Sequence, residues 1–205
     1  MVAVSTKGKV SPHMEREFPM STANFKLISE IAYKLTGIKL SDHKKNMIYS
    51  RLSRRIRLRD LQSFDEYCQL ISSNGNDEMT DFVNAITTNL TSFFREKHHF
   101  VYLQDEVFPY LMKNNAGSKK IRIWSAGCST GEEPYTLSIC VNETLPVDRW
   151  NIKILATDLD TNVVQHGKRG QYDADRIEGL DLSRKKRWFL KGSNSDQVRV
   201  KPSLQ

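Results

Sequence analysis

Apolar residues recur at helical spacing through the first part of the chain. Phe25, Ile28, Ala32 and Leu35 fall on one side of a helix that Ser21 or Thr22 can cap and Gly37 can end in a left-handed turn. Ile48, Leu52 and Ile56 repeat at one-turn intervals behind a cap at Ser41 or Asp42. Ser63-Phe64-Asp65-Glu66 is a capping-box pattern opening a third helix with Tyr67, Cys68 and Ile71, closed by Asn74-Gly75. Asp77 begins a fourth, carrying Phe82, Val83 and Ile86. Short helices in succession, with no strand between them, predict a small bundle. Ahead of them, Met1–Met20 lacks periodicity and reads as a loosely attached leader.

A further helix with Phe100, Leu103 and Val107, for which Thr91 or Ser92 can serve as cap, precedes a change of pattern at Asn114–Ser118. Beyond it, strand and helix alternate. Ile121, Ile123 and Trp124 form a short apolar run that ends in Ala126, Gly127, Ser129 and Gly131 and leads into Glu132-Glu133-Pro134, a helix start. A second run, Ile152–Ala156, ends in Thr157-Asp158-Leu159-Asp160. This succession predicts the opening of a doubly wound α/β domain. From Asp175 the pattern weakens to a short amphipathic helix over Leu182–Leu190, a turn over Lys191–Asp196 and a strand over Gln197–Lys201.

The glycine turn also carries chemistry. Small side chains there let a ligand approach the backbone. The loop is not GxGxxG, and Glu132 and Glu133 sit where a pyrophosphate would be repelled, so a ligand with positive charge fits better than an anionic dinucleotide. A sulfonium bearing an α-amino group answers to that description. Asp158, at a strand tip ~30 residues beyond the glycines, can accept hydrogen bonds from ribose hydroxyls. Strand, glycine turn, helix, strand and acid together form the layout of an S-adenosylmethionine (AdoMet) site. The plainer alternative is a βαβ unit whose glycines serve packing and whose Asp158 caps the next helix.

Composition narrows the setting. The 205 residues are 39% hydrophobic and 27% charged, enough apolar content for a packed core. No apolar run approaches the ~18 residues needed to span a bilayer, and the N-terminus lacks a signal peptide's apolar centre, so a cytoplasmic protein is expected. Cys68, Cys128 and Cys140 form no CxxC or Cys/His cluster, and His98 and His99 point to different helix faces, so no metal is expected. The net charge of +7 is concentrated between His43 and Arg59, a stretch with seven Lys and Arg and no acid. Lys44, Arg51, Arg54 and Arg55 gather on one flank of the second helix, which implies an anionic partner unless that flank is simply solvated. No helix-turn-helix, RNP or zinc-finger signature supports nucleic acid.

Three blocks add a resemblance: NLTSFFRE at Asn89–Glu96 with His99-Phe100, SAGCSTGEEPYTL at Ser125–Leu137, and ATDLDTNVVQHGKRGQY at Ala156–Tyr172. In this order and spacing the chain resembles the bacterial chemotaxis receptor methyltransferases of the CheR type, from about Phe25 onward. The resemblance implies AdoMet-dependent methyl transfer to receptor glutamate side chains, giving methyl esters in sensory adaptation, with S-adenosylhomocysteine as product. It implies a helical receptor-docking domain over 21–88 and part of a Rossmann-like AdoMet-binding methyltransferase domain over 89–205, with 175–205 as an inserted β-subdomain. Family members usually continue beyond the point matching Gln205, so the N-terminal half of that domain is expected here.

By the same resemblance, Arg95 contacts the methionine carboxylate of AdoMet, Asn89 and Thr91 line the pocket, Ala126 lies in its loop, and Glu132 or Glu133 receives the ammonium. Asp158 keeps the ribose role. Partners implied are the cytoplasmic domain of a chemoreceptor, met by the basic helix, and for some members a receptor C-terminal peptide. Arg187, Gly192 and Arg199 are the candidates to hold that peptide on an exposed strand edge. The enzyme would be recruited to membrane receptor arrays without inserting into the bilayer. The competing reading is a noncatalytic AdoMet-sensing or receptor-binding adaptor of the same fold.

Overall fold

The computed structural model describes residues 16–73, 77–192 and 196–205. The chain divides into two compact units, Met1–Phe82 and Val83–Gln205. None of the described helices is long and apolar enough to cross a membrane.

The first unit contains α1 (Thr22–Thr36), α2 (Lys45–Leu58), α3 (Phe64–Ser72) and most of α4 (Glu78–Ile86). Of the two candidate caps for α1, Ser21 is the one used: its hydroxyl oxygen accepts from the Asn24 amide at 3.0 Å, and the Asn24 side-chain oxygen accepts from the Ser21 amide at 2.9 Å. Gly37 ends the helix at φ 74°, as expected. Neither Ser41 nor Asp42 caps α2 with its side chain. A 3-10 turn over Asp42–Lys44 leads into the helix instead, with the Lys44 amide bonded to the Ser41 carbonyl at 2.9 Å. Ser63 caps α3, while the Asn74-Gly75 stop lies outside the described residues, as does the expected leader up to residue 15. Phe25, Ile28, Ile48, Leu52, Phe64 and Tyr67 are buried together with Phe82, which accounts for the helical period.

At the edge of this core lies a buried charge. Glu78 is 1% exposed and accepts from the Arg55 guanidinium at 2.8 and 2.7 Å, from Arg59, and from the Tyr67 hydroxyl at 2.8 Å. Burial works against its charged form, yet the hydrogen bonds from Arg55, Tyr67 and Arg59 outweigh it and hold the carboxyl below its ordinary range. Arg55 also bonds Asp81, so this cation is turned into the unit. Lys44, in the 3-10 turn ahead of α2 rather than on the helix as expected, and Arg54, on α2, are exposed.

In the second unit, α5 (Lys97–Tyr102), a π-helical turn (Leu103–Val107) and α6 (Phe108–Asn114) precede β1 (Lys120–Ser125). Thr91 and Ser92 do not cap α5, contrary to expectation. The helix begins later, with Glu96 at its N-cap in the left-handed region; ahead of it Phe93 is buried in one apolar cluster, and Phe94 packs against that cluster and a second one. β1 pairs in parallel with β2 (Asn151–Ala156), from Lys120 opposite Asn151 to Ser125 opposite Ala156, and α7 (Glu132–Thr144) makes the crossover. α8 (Thr161–Arg169) follows β2.

A separate antiparallel sheet has the order β3-β5-β4, from Gln171–Asp173, Gln197–Val200 and Phe189–Lys191, with α9 (Leu182–Trp188) running into β4. Its first strand precedes the expected start of this region at Asp175. β5, the strand foreseen as an exposed edge, is central and paired on both sides, so an extended peptide could add only at the outer strands. Gly192 donates its amide to the Gln197 carbonyl at 2.7 Å, and a Cβ there would lie 2.8 Å from that oxygen. The glycine is therefore required by the hairpin itself.

Candidate functional site

The tips of β1 and β2 are joined by backbone bonds: the Thr157 amide donates to the Ser125 carbonyl, and the Cys128 amide to the Thr157 carbonyl, both at 3.0 Å. Between them the loop places Ala126 and Gly127 on the surface, where a Cβ at Gly127 would meet nothing within 4 Å. Gly131 is different. At φ 101° it starts α7, and an added Cβ would come within 2.8 Å of the Gly167 backbone and 2.7 Å of the Tyr172 hydroxyl. Loop and α8 can cross this closely because both residues at the crossing are glycine.

Asp158 sits at the β2 tip and does not cap α8. One of its carboxylate oxygens accepts from the Ser129 amide at 2.8 Å and the other from the Asp160 amide at 2.9 Å. The first bond supports Ser129 in a left-handed conformation, φ 47°, which is unfavourable for a side chain with a Cβ. Each oxygen retains a lone pair for a further donor. Asp160 is the α8 cap: it accepts from the Asn162 amide at 2.9 Å and is 4% exposed.

The two glutamates at the start of α7 part ways. Glu132 is buried, 1% exposed, and accepts from the Thr130 hydroxyl at 2.6 Å and from the Arg176 guanidinium. Glu133 is exposed and accepts from the Ser125 hydroxyl at 2.6 Å, which leaves its second oxygen facing outward at the strand tip. Burial, with the Asp158 and Glu133 carboxylates nearby, pushes the Cys128 thiol up, so it stays protonated and is not a nucleophile.

The segment 87–96 lies across this loop. Asn89 donates its side-chain amide to Asp160 at 2.7 Å, and its carbonyl accepts from the Ser129 hydroxyl at 3.0 Å. The Thr91 carbonyl accepts from Arg176 at 2.8 Å. Arg95 is exposed, its guanidinium donating to the Leu90 carbonyl at 2.7 Å and its amide to the Ser92 carbonyl at 3.3 Å, and it is flanked by Phe94 and Glu96 at φ 53° and 54°. Two departures of that kind on either side of one arginine mark a backbone held by its surroundings. Phe94 supplies part of that hold: its amide donates to Thr136 at 3.2 Å and its ring lies under the Arg184 guanidinium at 4.4 Å.

Asn89, Thr91, Ala126, Glu132, Glu133 and Asp158 thus belong to one region with Arg95, all within the second unit. Lys44, Arg51, Arg54 and Arg55 belong to the first. In α9 Arg187 rests on the Trp188 ring at 4.6 Å, and in the antiparallel sheet Arg199 lies on β5 between Gln171 and Leu190. Sequence reasoning missed Asp160 and Arg176. Asp160 carried a visible signal, since Asp-Thr-Asn is a cap pattern, whereas nothing near Arg176 announces a partner at Glu132. Among the described residues no cluster of His, Cys, Asp and Glu could hold a metal ion.

The donor set suits the amino-acid end and ribose of AdoMet: one exposed guanidinium for a carboxylate, one exposed carboxylate for an ammonium, and an acid with spare lone pairs for hydroxyls. Comparison with known proteins supports AdoMet as the ligand of this domain. Residues 89–205 match the family model described as CheR methyltransferase, SAM binding domain, and residues 23–87 the CheR methyltransferase, all-alpha domain. The chain is similar to chemotaxis protein methyltransferase 2 of Pseudomonas aeruginosa, 42% identical over 93% of the chain and 67% of the relative. It is 38% identical to the chemotaxis protein methyltransferase of Escherichia coli over 93% of the chain and 65% of the relative, and 39% identical to that of Borreliella burgdorferi over 86% and 64%. It spans about two thirds of the length of these curated relatives.

Proposed function

Since the chain belongs to the CheR methyltransferase family, we propose that it binds AdoMet at the tips of β1 and β2 and that its reaction is methyl transfer to glutamate side chains of chemoreceptors. The observation that carries this reading is the meeting of three sequence blocks at one place: Asn89 bonded to Ser129 and Asp160, and Ser129 to Asp158.

Arg95 binds the methionine carboxylate, and Asp158 accepts from the ribose hydroxyls with the lone pairs its backbone bonds leave over. Glu133 receives the ammonium. Glu132 is already committed to Arg176 and Thr130, and its burial leaves no access for a ligand. Ala126 and Gly127 keep the loop low enough for the ligand to lie on it. Asn89 and Thr91 form the wall beside Arg95.

When bound, AdoMet supplies an electrophilic methyl on a sulfonium. The acceptor is a receptor glutamate, already ionised at neutral pH with an unperturbed pKa of ~4.3, so the protein needs no general base. Its task is to align carboxylate and methyl and exclude water between them, an effect that can lower a barrier by ~7–11 kcal/mol. Lys44 and Arg54 offer charge to an acidic receptor surface, and a receptor C-terminal peptide would add to the β4 edge beside Arg187 and Arg199. On this reading the work would lie on the cytoplasmic side of the membrane, at receptor arrays.

Incubation of the protein with AdoMet labelled in the methyl group and receptor-bearing membranes tests the reading. Base-labile label on receptor glutamates is expected. Binding of AdoMet without transfer to any receptor would instead favour the adaptor reading.

A further inference from the structure

Asp160 is 4% exposed, yet it belongs to none of the ligand contacts just assigned. Its surroundings are unusual for a helix cap. Besides the Asn162 amide of its own helix at 2.9 Å, it accepts from the Asn89 side-chain amide at 2.7 Å and lies 3.0 Å from the Thr87 hydroxyl, whose one proton it shares with the Asn84 carbonyl at the same distance, on a segment more than seventy positions earlier. Its own amide donates to Asp158 at 2.9 Å. A cap needs only the first of these bonds.

These bonds converge on the segment that carries Arg95. Thr87 and Asn89 are its first fixed points, and Asn89 is held a second time through its carbonyl by Ser129. Leu90, immediately after, is 74% exposed and has little packing of its own, but its carbonyl is where Arg95 rests. The path from Asp160 to the guanidinium therefore runs through Asn89 and the Leu90 carbonyl. On its other side the Asp160 backbone amide donates to Asp158, so the carboxylate that anchors the Arg95 segment sits on the residue whose amide holds the ribose acid.

We infer that Asp160 is a positioning residue for the cofactor: it sets where Arg95 stands relative to Asp158, and so governs recognition of the ligand's amino-acid end. The inference rests on the AdoMet reading above. Asp160 touches no ligand in this scheme, and its loss should weaken only the part of the binding that Arg95 supplies. A purely structural cap would not discriminate between ligands.

The test is calorimetric, on the full chain, with S-adenosylhomocysteine and with 5′-methylthioadenosine, which keeps adenosine and sulfur but lacks the amino acid. Asp160→Ala should weaken S-adenosylhomocysteine about tenfold or more and 5′-methylthioadenosine less than about threefold, the pattern also expected of Arg95→Ala. The Arg95→Ala/Asp160→Ala pair should lose little beyond either single change, because both remove one interaction. Asp160→Asn, which keeps a carbonyl to accept from Asn89, should recover part of the loss. If Asp160→Ala fails to fold, Thr87→Val, which leaves the cap intact, should show the same ligand preference in weaker form. Equal losses for both ligands, or full additivity with Arg95→Ala, would overturn the inference while leaving the AdoMet site standing. No binding of either ligand by the unmodified protein would overturn the AdoMet reading and the inference with it.

Discussion

Glu78 in the helical unit and Asp160 in the α/β unit are both buried carboxylates surrounded by donors, but the donors differ in kind. Glu78 is met by two guanidiniums and a phenol. Asp160 is met by a hydroxyl, a side-chain amide and a backbone amide, none of them charged. A carboxylate neutralised by arginines closes its field locally and ties two helices together. One held by neutral dipoles keeps its negative potential, which in a low-dielectric setting extends to its neighbours. Asp158 is held in the same neutral way, by two backbone amides. The bundle consumes its charge for cohesion, whereas the strand tips keep negative field, as the proposed site for a ligand bearing a sulfonium and an ammonium requires. Glu132, paired with Arg176, belongs with Glu78 although it lies beside the site.

The sharpest way to break the comparison is to remove Glu78. Glu78→Ala leaves Arg55 with only the more exposed Asp81 as counter-ion and strips the Tyr67 hydroxyl of its acceptor, and should cost about 3 kcal/mol of stability in denaturant unfolding, with affinity for S-adenosylhomocysteine unchanged in the molecules that remain folded. An equal loss of affinity would show that the charge serves the site after all. The same residue predicts an acid response. Its folded pKa lies below the ordinary 4.5, so its contribution is fully present above that value and is lost as pH falls through the lower folded one. Urea midpoints at pH 7 and pH 3 should therefore converge for the unmodified protein and Glu78→Gln, the variant changing less over the interval.

The counterpart change at the strand tips acts on binding first. Asp158→Ala should reduce affinity for AdoMet and its product by about 1.5–3 kcal/mol, measured by calorimetry, with a smaller effect on unfolding than Glu78→Ala has. Unchanged affinity would remove Asp158 from the site and reduce its role to holding Ser129. The reverse order, a fold more sensitive to Asp158 than to Glu78, would mean that the two carboxylates have been assigned the wrong way round.

How these residues read in the sequence follows from how far away their partners are. Ser21, Gly37 and Ser63 declare themselves because a cap is completed within a few positions of the same helix. The glycine turn and Asp158 are legible because strand, turn and helix follow one another directly. Arg55 lies on the basic flank of α2 by periodicity, yet its partner Glu78 is in another helix, and the helical period alone cannot turn one arginine inward and leave Arg54 outward. The central place of β5 is hidden for a similar reason. Alternation identifies a strand but not which strands lie beside it, and β3, which pairs with β5 across α9 and β4, is only three residues long. Glu132 and Glu133 were indistinguishable as neighbours with the same chemistry until Arg176 took one of them.

The smallest change to the fold, and the one that isolates charge left on the surface, is the pair Lys44→Glu, in the turn ahead of α2, and Arg54→Glu, on α2. Both residues are exposed, so stability should stay within about 0.5 kcal/mol of the unmodified protein, and affinity for S-adenosylhomocysteine should not move. Arg55 is left out because reversing it would strike Glu78 and confuse docking with unfolding. If α2 meets an acidic receptor surface, the double variant should methylate receptors more slowly, chiefly through a lower kcat/KM at low receptor concentration. Raising the salt should slow the unmodified protein toward the variant as the attraction is screened over about 10 Å at 0.1 M. Rates that coincide at low salt would assign this flank to solvation and leave receptor recognition to the β4 edge. A gap that persists unchanged at high salt would point to contacts of shape, which charge on α2 does not govern.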